Sequence, residues 1–256
     1  MSSKPGARRF LAATAGAIRR QGRAMLAAAP WSLAVFTLSL PFALLIANLF
    51  PYGGWLFLAL ALINLIALAR MTFAWYRVIT LPDSPGVAAA RGGAAQARHL
   101  ALLGALVIAV TAVARATGDL PYVIYMVLGG SNDKLFWGAL FASLALIWAP
   151  MLYALAVYGL SLPRAAVAGK YGFRGARGAM PYKRWPLMLA LLLLVAAAGH
   201  AGYTLRMLAS GYTDAELAQS AVSVLLCVPI TFVVATMYAV AYRDSVDVAR
   251  TATSHS

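Results

Sequence analysis

From Ala24 to Ala69 the chain carries no charged residue. A helical span needs about 20 apolar residues, so a run of this length crosses a bilayer twice. Its backbone polar groups then have no water to bond with, and helices satisfy them internally. Pro51-Tyr52-Gly53-Gly54 supplies the turn in the middle. The reading is one helix over about 31–50 and a second over about 55–76. Pro41 falls inside the first, where membrane helices tolerate it. Arg70 comes late in the second, with a side chain long enough to snorkel to the interface beside the belt aromatics Trp75 and Tyr76.

The same pattern repeats downstream. A Gly/Ala/Arg-rich loop over 77–99 leads to a third helix over about 100–116. The apolar stretch from Leu120 to Leu128 is too short to span and reads as an interfacial or re-entrant piece. A fourth helix follows over about 135–160, with Pro150 inside it. A second basic loop occupies 161–184, then come helices over about 185–207 and 219–242, the last with Pro229 inside. A short tail covers 243–256. The expected fold is all-α: six transmembrane helices within residues 30–242, preceded by a basic arm over 1–29.

That arm has a helical logic of its own. At about 100° per residue, Arg8, Arg9, Arg19, Arg20 and Arg23 share one arc of about 120°. Phe10, Leu11, Ile18 and Met25 fall opposite, with Thr14 among them. A basic amphipathic helix of this kind suits the headgroup layer of an anionic leaflet. The basic stretch is too long for a secretory signal and no cleavage-like continuation follows, so the start is expected to be retained.

Charge sets the orientation. Of the 21 lysines and arginines, 18 lie in the arm, the Arg70–Arg98 region, the 161–184 loop and the tail. Only Arg115, Lys134 and Arg206 fall on the other side. Positive residues mark the cytoplasmic face, so both termini are expected inside. Composition agrees: 62% of the residues are hydrophobic and 11% charged, against about 25% charged in soluble domains. The net charge of +14 belongs to short segments between apolar runs and carries no nucleic-acid reader motif, so nucleic acid is not an expected partner. The single cysteine, Cys227, lies in an apolar run and reads as a packing residue.

Thr80-Leu81-Pro82 and Ser161-Leu162-Pro163 each close a helix and open a basic Gly/Ala loop. The echo is consistent with a duplicated hairpin and equally with chance in an Ala/Leu-rich chain.

Enzymes need convergent nucleophiles, carboxylates or metal ligands, and no Asp or Glu falls within any of the six spans. No catalytic, cofactor or metal residues are therefore assigned. His99 stands at a loop–helix junction and reads as interfacial, and His255 is in the tail. The intramembrane polar candidates are Asn48, Asn64 and His200. Buried amides commonly tie helices together; an intramembrane histidine also serves proton relays. In the second basic loop, Arg174 and Arg177 stand among glycines, and like the arm arginines they are candidate contacts for anionic lipid headgroups. Positive-inside topology explains the same residues without a ligand.

The two basic loops also carry a resemblance. Trp75-Tyr76-Arg77-Val78 ends the second helix, and the loop returns through Arg98-His99-Leu100. Gly159-Leu160-Ser161-Leu162-Pro163-Arg164-Ala165-Ala166 leads through Tyr171-Gly172-Phe173 to Arg184-Trp185-Pro186-Leu187. Over about residues 30–242 this resembles the YciC-like group of bacterial inner-membrane proteins, and the membrane domain that precedes some glycerophosphodiester phosphodiesterases. The resemblance implies six helices in a bacterial inner membrane and transfers no catalytic residue. The acidic residue expected after the first motif appears only as Asp83, behind Pro82.

The leading expectation is a non-enzymatic membrane protein: a structural, assembly or regulatory partner, working with another membrane protein or as a homo-oligomer. The rival is a small oligomeric transporter or channel, suggested by Pro41, Pro150, Pro229, His200, Asn48 and Asn64. A polar cavity reaching Asn64 and His200 favours the rival; a packed bundle favours the first. A lipid-modifying enzyme requires Asp119, Asp133 and His200 to converge on one cleft.

Overall fold

Prolines and glycines set the punctuation of the chain. The computed structural model describes residues 6–49, 54–81, 92–173, 180–210 and 217–253, with side chains at 47–49 and 248–253 excepted. Among these residues every regular element is helical. Helix α1 is Ala7–Ala28, α2 Pro30–Leu49, α3 Trp55–Thr80, α4 Gly93–Gly118 and α5 Leu120–Val127. Helix α6 is Lys134–Tyr158, α7 Ser161–Ala168, α8 Trp185–Ala209 and α9 Leu217–Thr253. Proline opens α2 and stands in the first turn of α5 and α8, where its missing N–H costs nothing. Asp133 caps α6, its carboxylate accepting from the backbone N–H of Leu135 (2.9 Å) and Phe136 (3.1 Å). The Phe136 amide chiefly, with the Ser131 hydroxyl, holds that carboxyl below its ordinary range.

Five segments are long and apolar enough to cross a membrane: Trp55–Thr80, Gly93–Val127, Lys134–Ala168, Trp185–Ala209 and Leu217–Asp247. Helices α1 and α2, bent by 83° about Ala29, meet the same test only together, so the count is five, or six with this bent pair taken as one span. The chain is a multi-pass integral membrane protein. Inside the spans, hydroxyls turn back onto their own helices: Thr37 donates to the Leu33 carbonyl, Ser39 to Val35 and Thr236 to Phe232. This satisfies polar groups where no water can.

Several boundaries differ from the sequence reading. The third span starts at Gly93 rather than near residue 100, because Ala94, Ala95 and Gln96 are good helix formers with nothing to stop them. Residues 161–168, expected as loop, form α7. The expected tail is largely a continuation of α9 to Thr253. The apolar stretch after Asp119 is the short helix α5, which has no buried residue and touches α6 through Tyr125 and Phe136. The turn over 50–53, loop residues 82–91 with Pro82 of the Leu-Pro echo, the 211–216 link and His255 lie outside the described residues.

Helices α2, α3, α9 and α8 pack as the central group, with α4 beside α3 and α6 beside α8. Helix α1 lies across one end of this group, against α3 and α9. The largest fully buried side chains gather there: Trp75, Tyr76, Phe10, Met25, Met71 and Ile79 lead them. We refer to this as the arginine-rich end.

Candidate functional site at the arginine-rich end

The site begins with α3. Its last ten residues run on past the start of α2, and Met71 to Tyr76 are all buried. They form a post around which α1, α4, α7 and α9 assemble. Trp75 Nε1–H donates to the Met25 carbonyl of α1 (2.8 Å), and its ring meets Phe232 of α9 edge-on at 4.9 Å. One hydrogen bond thus fastens the amphipathic helix to the bundle. Phe10, at the other end of α1, stacks on Tyr182 at 4.7 Å. Two of the apolar residues expected to face lipid, Phe10 and Met25, therefore face protein and are fully buried. Leu11 and Leu26, turned aside from them, stay exposed. Arg8, Arg9, Arg19, Arg20 and Arg23 all point outward.

His99 occupies the centre. It lies six residues into α4 and is fully buried. A carbonyl only accepts, so the Nδ1–H donates to the Leu162 carbonyl of α7 (3.2 Å). With the ring hydrogen on Nδ1, Nε2 accepts from the Thr72 hydroxyl of α3 at 2.9 Å. Phe73 and Tyr76 close on the ring edge-on at 5.8 and 5.5 Å. One histidine thus joins three helices.

Around this centre the contacts are close. The Tyr238 hydroxyl of α9 donates to the Leu155 carbonyl of α6 (2.8 Å). It passes so near Gly159 that any Cβ there would collide with the phenol and with the Leu155 carbonyl. Gly169, at φ +64°, ends α7 in the left-handed conformation that glycine adopts without strain. Its carbonyl receives the Arg98 guanidinium. The Tyr182 hydroxyl donates to Asp244, whose carboxylate is also held by Arg243 at 2.9 Å. Burial, reinforced by that carboxylate, pushes the Tyr182 phenol up to about 12.

The residues singled out from sequence distribute differently. Asn64 is buried, and its Nδ2 donates to the Phe36 carbonyl (2.8 Å) and the Ser39 hydroxyl (3.1 Å), tying α3 to α2. His200 is exposed on α8. The side chain of Asn48, and Arg174 and Arg177, lie outside the described residues. Asp119 and Asp133 are exposed like His200, and no hydrogen bond or ion pair is seen between any two of the three. Among the described residues no three His, Cys, Asp or Glu side chains are placed to hold a metal ion.

His99 is the residue the sequence reading undervalued. Its signal was in the sequence: an aromatic-hydroxyl face of Thr72, Phe73 and Tyr76 on the preceding helix. The misplaced start of α4 hid it, by setting the histidine at a junction instead of inside a helix. Comparison with protein-family models, with characterised proteins and with solved structures finds no match to this chain.

Proposed function

We propose that this protein works by contact at its arginine-rich end, as a non-enzymatic structural, assembly or regulatory partner of other membrane components. The observation that carries the reading is the separation of Asn64 from His200. A solute path through the bundle would draw on in-span polar groups facing a shared cavity. Asn64 instead spends its amide hydrogens on the Phe36 carbonyl and Ser39, and His200 is on the outside of α8. The buried histidine, tyrosines and tryptophan build a rigid platform at one end.

The excess of lysine and arginine at that end supports a cytoplasmic location for it, and for both termini, in a bacterial inner membrane. It likewise supports contact of Arg8, Arg9, Arg19, Arg20 and Arg23 with anionic headgroups. The loop motifs support kinship with the YciC-like group.

The test is purification from native membranes in nanodiscs, with mass spectrometry of co-purifying proteins and lipids. A stoichiometric protein partner is the expected result. A homo-oligomer with a bound small solute and no other protein overturns the reading in favour of transport.

A further inference from the structure

The outer surface of the α2–α3 pair holds a cleft of about 220 Å³. It is lined by Trp31, Ser32, Val35, Ile63, Ile66 and Arg70. The bond from Asn64 to the Phe36 carbonyl fixes how the two antiparallel helices align. At about 1.5 Å of rise per residue, that alignment brings Arg70 level with the first turn of α2. Here α1 turns away by 83°, so its five arginines and Arg70 occupy one layer. Along α3 from Arg70 to Ile63, about 10 Å of helical rise, the rest of the lining on this helix is apolar. Polar groups at one depth and a hydrocarbon groove below them match the build of a phospholipid.

The charges match as well. Arg70 is exposed on α3, and among the described residues no ion pair is seen for it. A guanidinium at headgroup depth attracts anionic headgroups, and its fork of donors fits phosphate oxygens two at a time. Trp31, 84% exposed, has the amphipathic ring that settles at the glycerol level.

We propose that this cleft binds one anionic phospholipid. Its phosphate sits on the Arg70 guanidinium and the Ser32 hydroxyl, its glycerol lies beside Trp31, and one acyl chain runs along Val35, Ile63 and Ile66. The site is independent of whether a protein partner exists.

The full chain, purified in mild detergent and exchanged with equal phosphatidylglycerol and phosphatidylcholine, is examined by native mass spectrometry. The wild type is expected to retain one phosphatidylglycerol per chain. Arg70→Gln is expected to lower that retention about tenfold, the loss of roughly one charge-assisted contact, while Arg70→Lys keeps part of it. Val35→Trp fills the groove without touching the charge, and is expected to expel the lipid from a chain whose melting temperature is unchanged. Lys170→Gln, an exposed charge at the arginine-rich end but outside the cleft, leaves retention as it was. Equal retention in Arg70→Gln and wild type overturns the site, as does equal loss in Lys170→Gln, which assigns the lipid to diffuse charge. Displacement by millimolar inorganic phosphate alone overturns the lipid and leaves a site for a soluble anion.

Discussion

At the arginine-rich end Trp75, His99 and Tyr238 keep 1%, 0% and 4% of their surface, and each makes a hydrogen bond to another helix. At the other end Leu135, Trp137 and Phe141 are exposed on α6, and the span Gly93–Val127 buries only 17% of its apolar window, against 56% for Leu217–Asp247. Both regions are rich in large apolar side chains, so hydrophobicity does not separate them. Solvent does. Acyl chains are as apolar as leucine, so helices gain little by burying leucine against leucine inside the bilayer. Where α3, α7 and α9 run on beyond the start of α2, the hydrophobic effect applies again and drives a core together. The helices are joined at the end where joining them is favourable, and lipid solvates the rest.

That contrast predicts unequal costs for similar truncations. Trp75→Ala removes a buried ring, its bond to Met25 and its contact with Phe232. We expect a loss of about 3–5 kcal/mol, read from unfolding in detergent micelles. Proteolysis between α1 and α2 should also speed up, because the arm is no longer fastened. An intact arm with unchanged stability would break the claim that this end is the core. His99→Ala leaves the Leu162 carbonyl and the Thr72 hydroxyl without the ring that joined them, and is expected to cost about 2–3 kcal/mol. A double-mutant cycle with Thr72→Val sharpens it: coupling near zero would mean that the ring only fills space.

The sequence exposed one of these regions far better than the other. The long apolar segments and the lopsided arginines were legible, because lipid imposes length and composition on every span. The packed end was not, because it rests on contacts between distant residues. His99 to Leu162, Trp75 to Met25 and Tyr238 to Leu155 cross long stretches of chain, and no local periodicity encodes them. The amphipathic arm shows both sides of this. Its arginine arc was readable from spacing alone, whereas the burial of Phe10 against Tyr182 depended on a segment that carries no helix signal. Asn64 was legible in kind, as an amide binding helices, though not in its partners Phe36 and Ser39.

A smaller effect separates the two ends by pH. The Tyr182 phenol is raised by burial first and by Asp244 second. A raised acid contributes stability that is complete below its unfolded value near 10 and is lost as pH climbs through its folded value. Between about pH 10 and the folded value of about 12, the anchor of α1 should loosen before the spans do. Tyr182→Phe should flatten that alkaline loss; an unchanged alkaline limb would place its cause elsewhere.

The smallest effects belong on the lipid-facing side. Ile108 of α4 and Leu146 of α6 are 67% and 77% exposed. Alanine at either leaves no cavity, since acyl chains close over the shortened side chain, and the expected cost is within about 0.5 kcal/mol. The measurement is unfolding of Ile108→Ala and Leu146→Ala in nanodiscs, beside the monomer–oligomer ratio of each. A cost near that of His99→Ala would mean that protein, not lipid, covers this face. If the oligomer fell apart in the same variant, the cover would be a second copy of this chain. If the oligomeric state held while stability dropped, a different partner would be the cover, because only a packed neighbour leaves a hole when three side-chain carbons are removed.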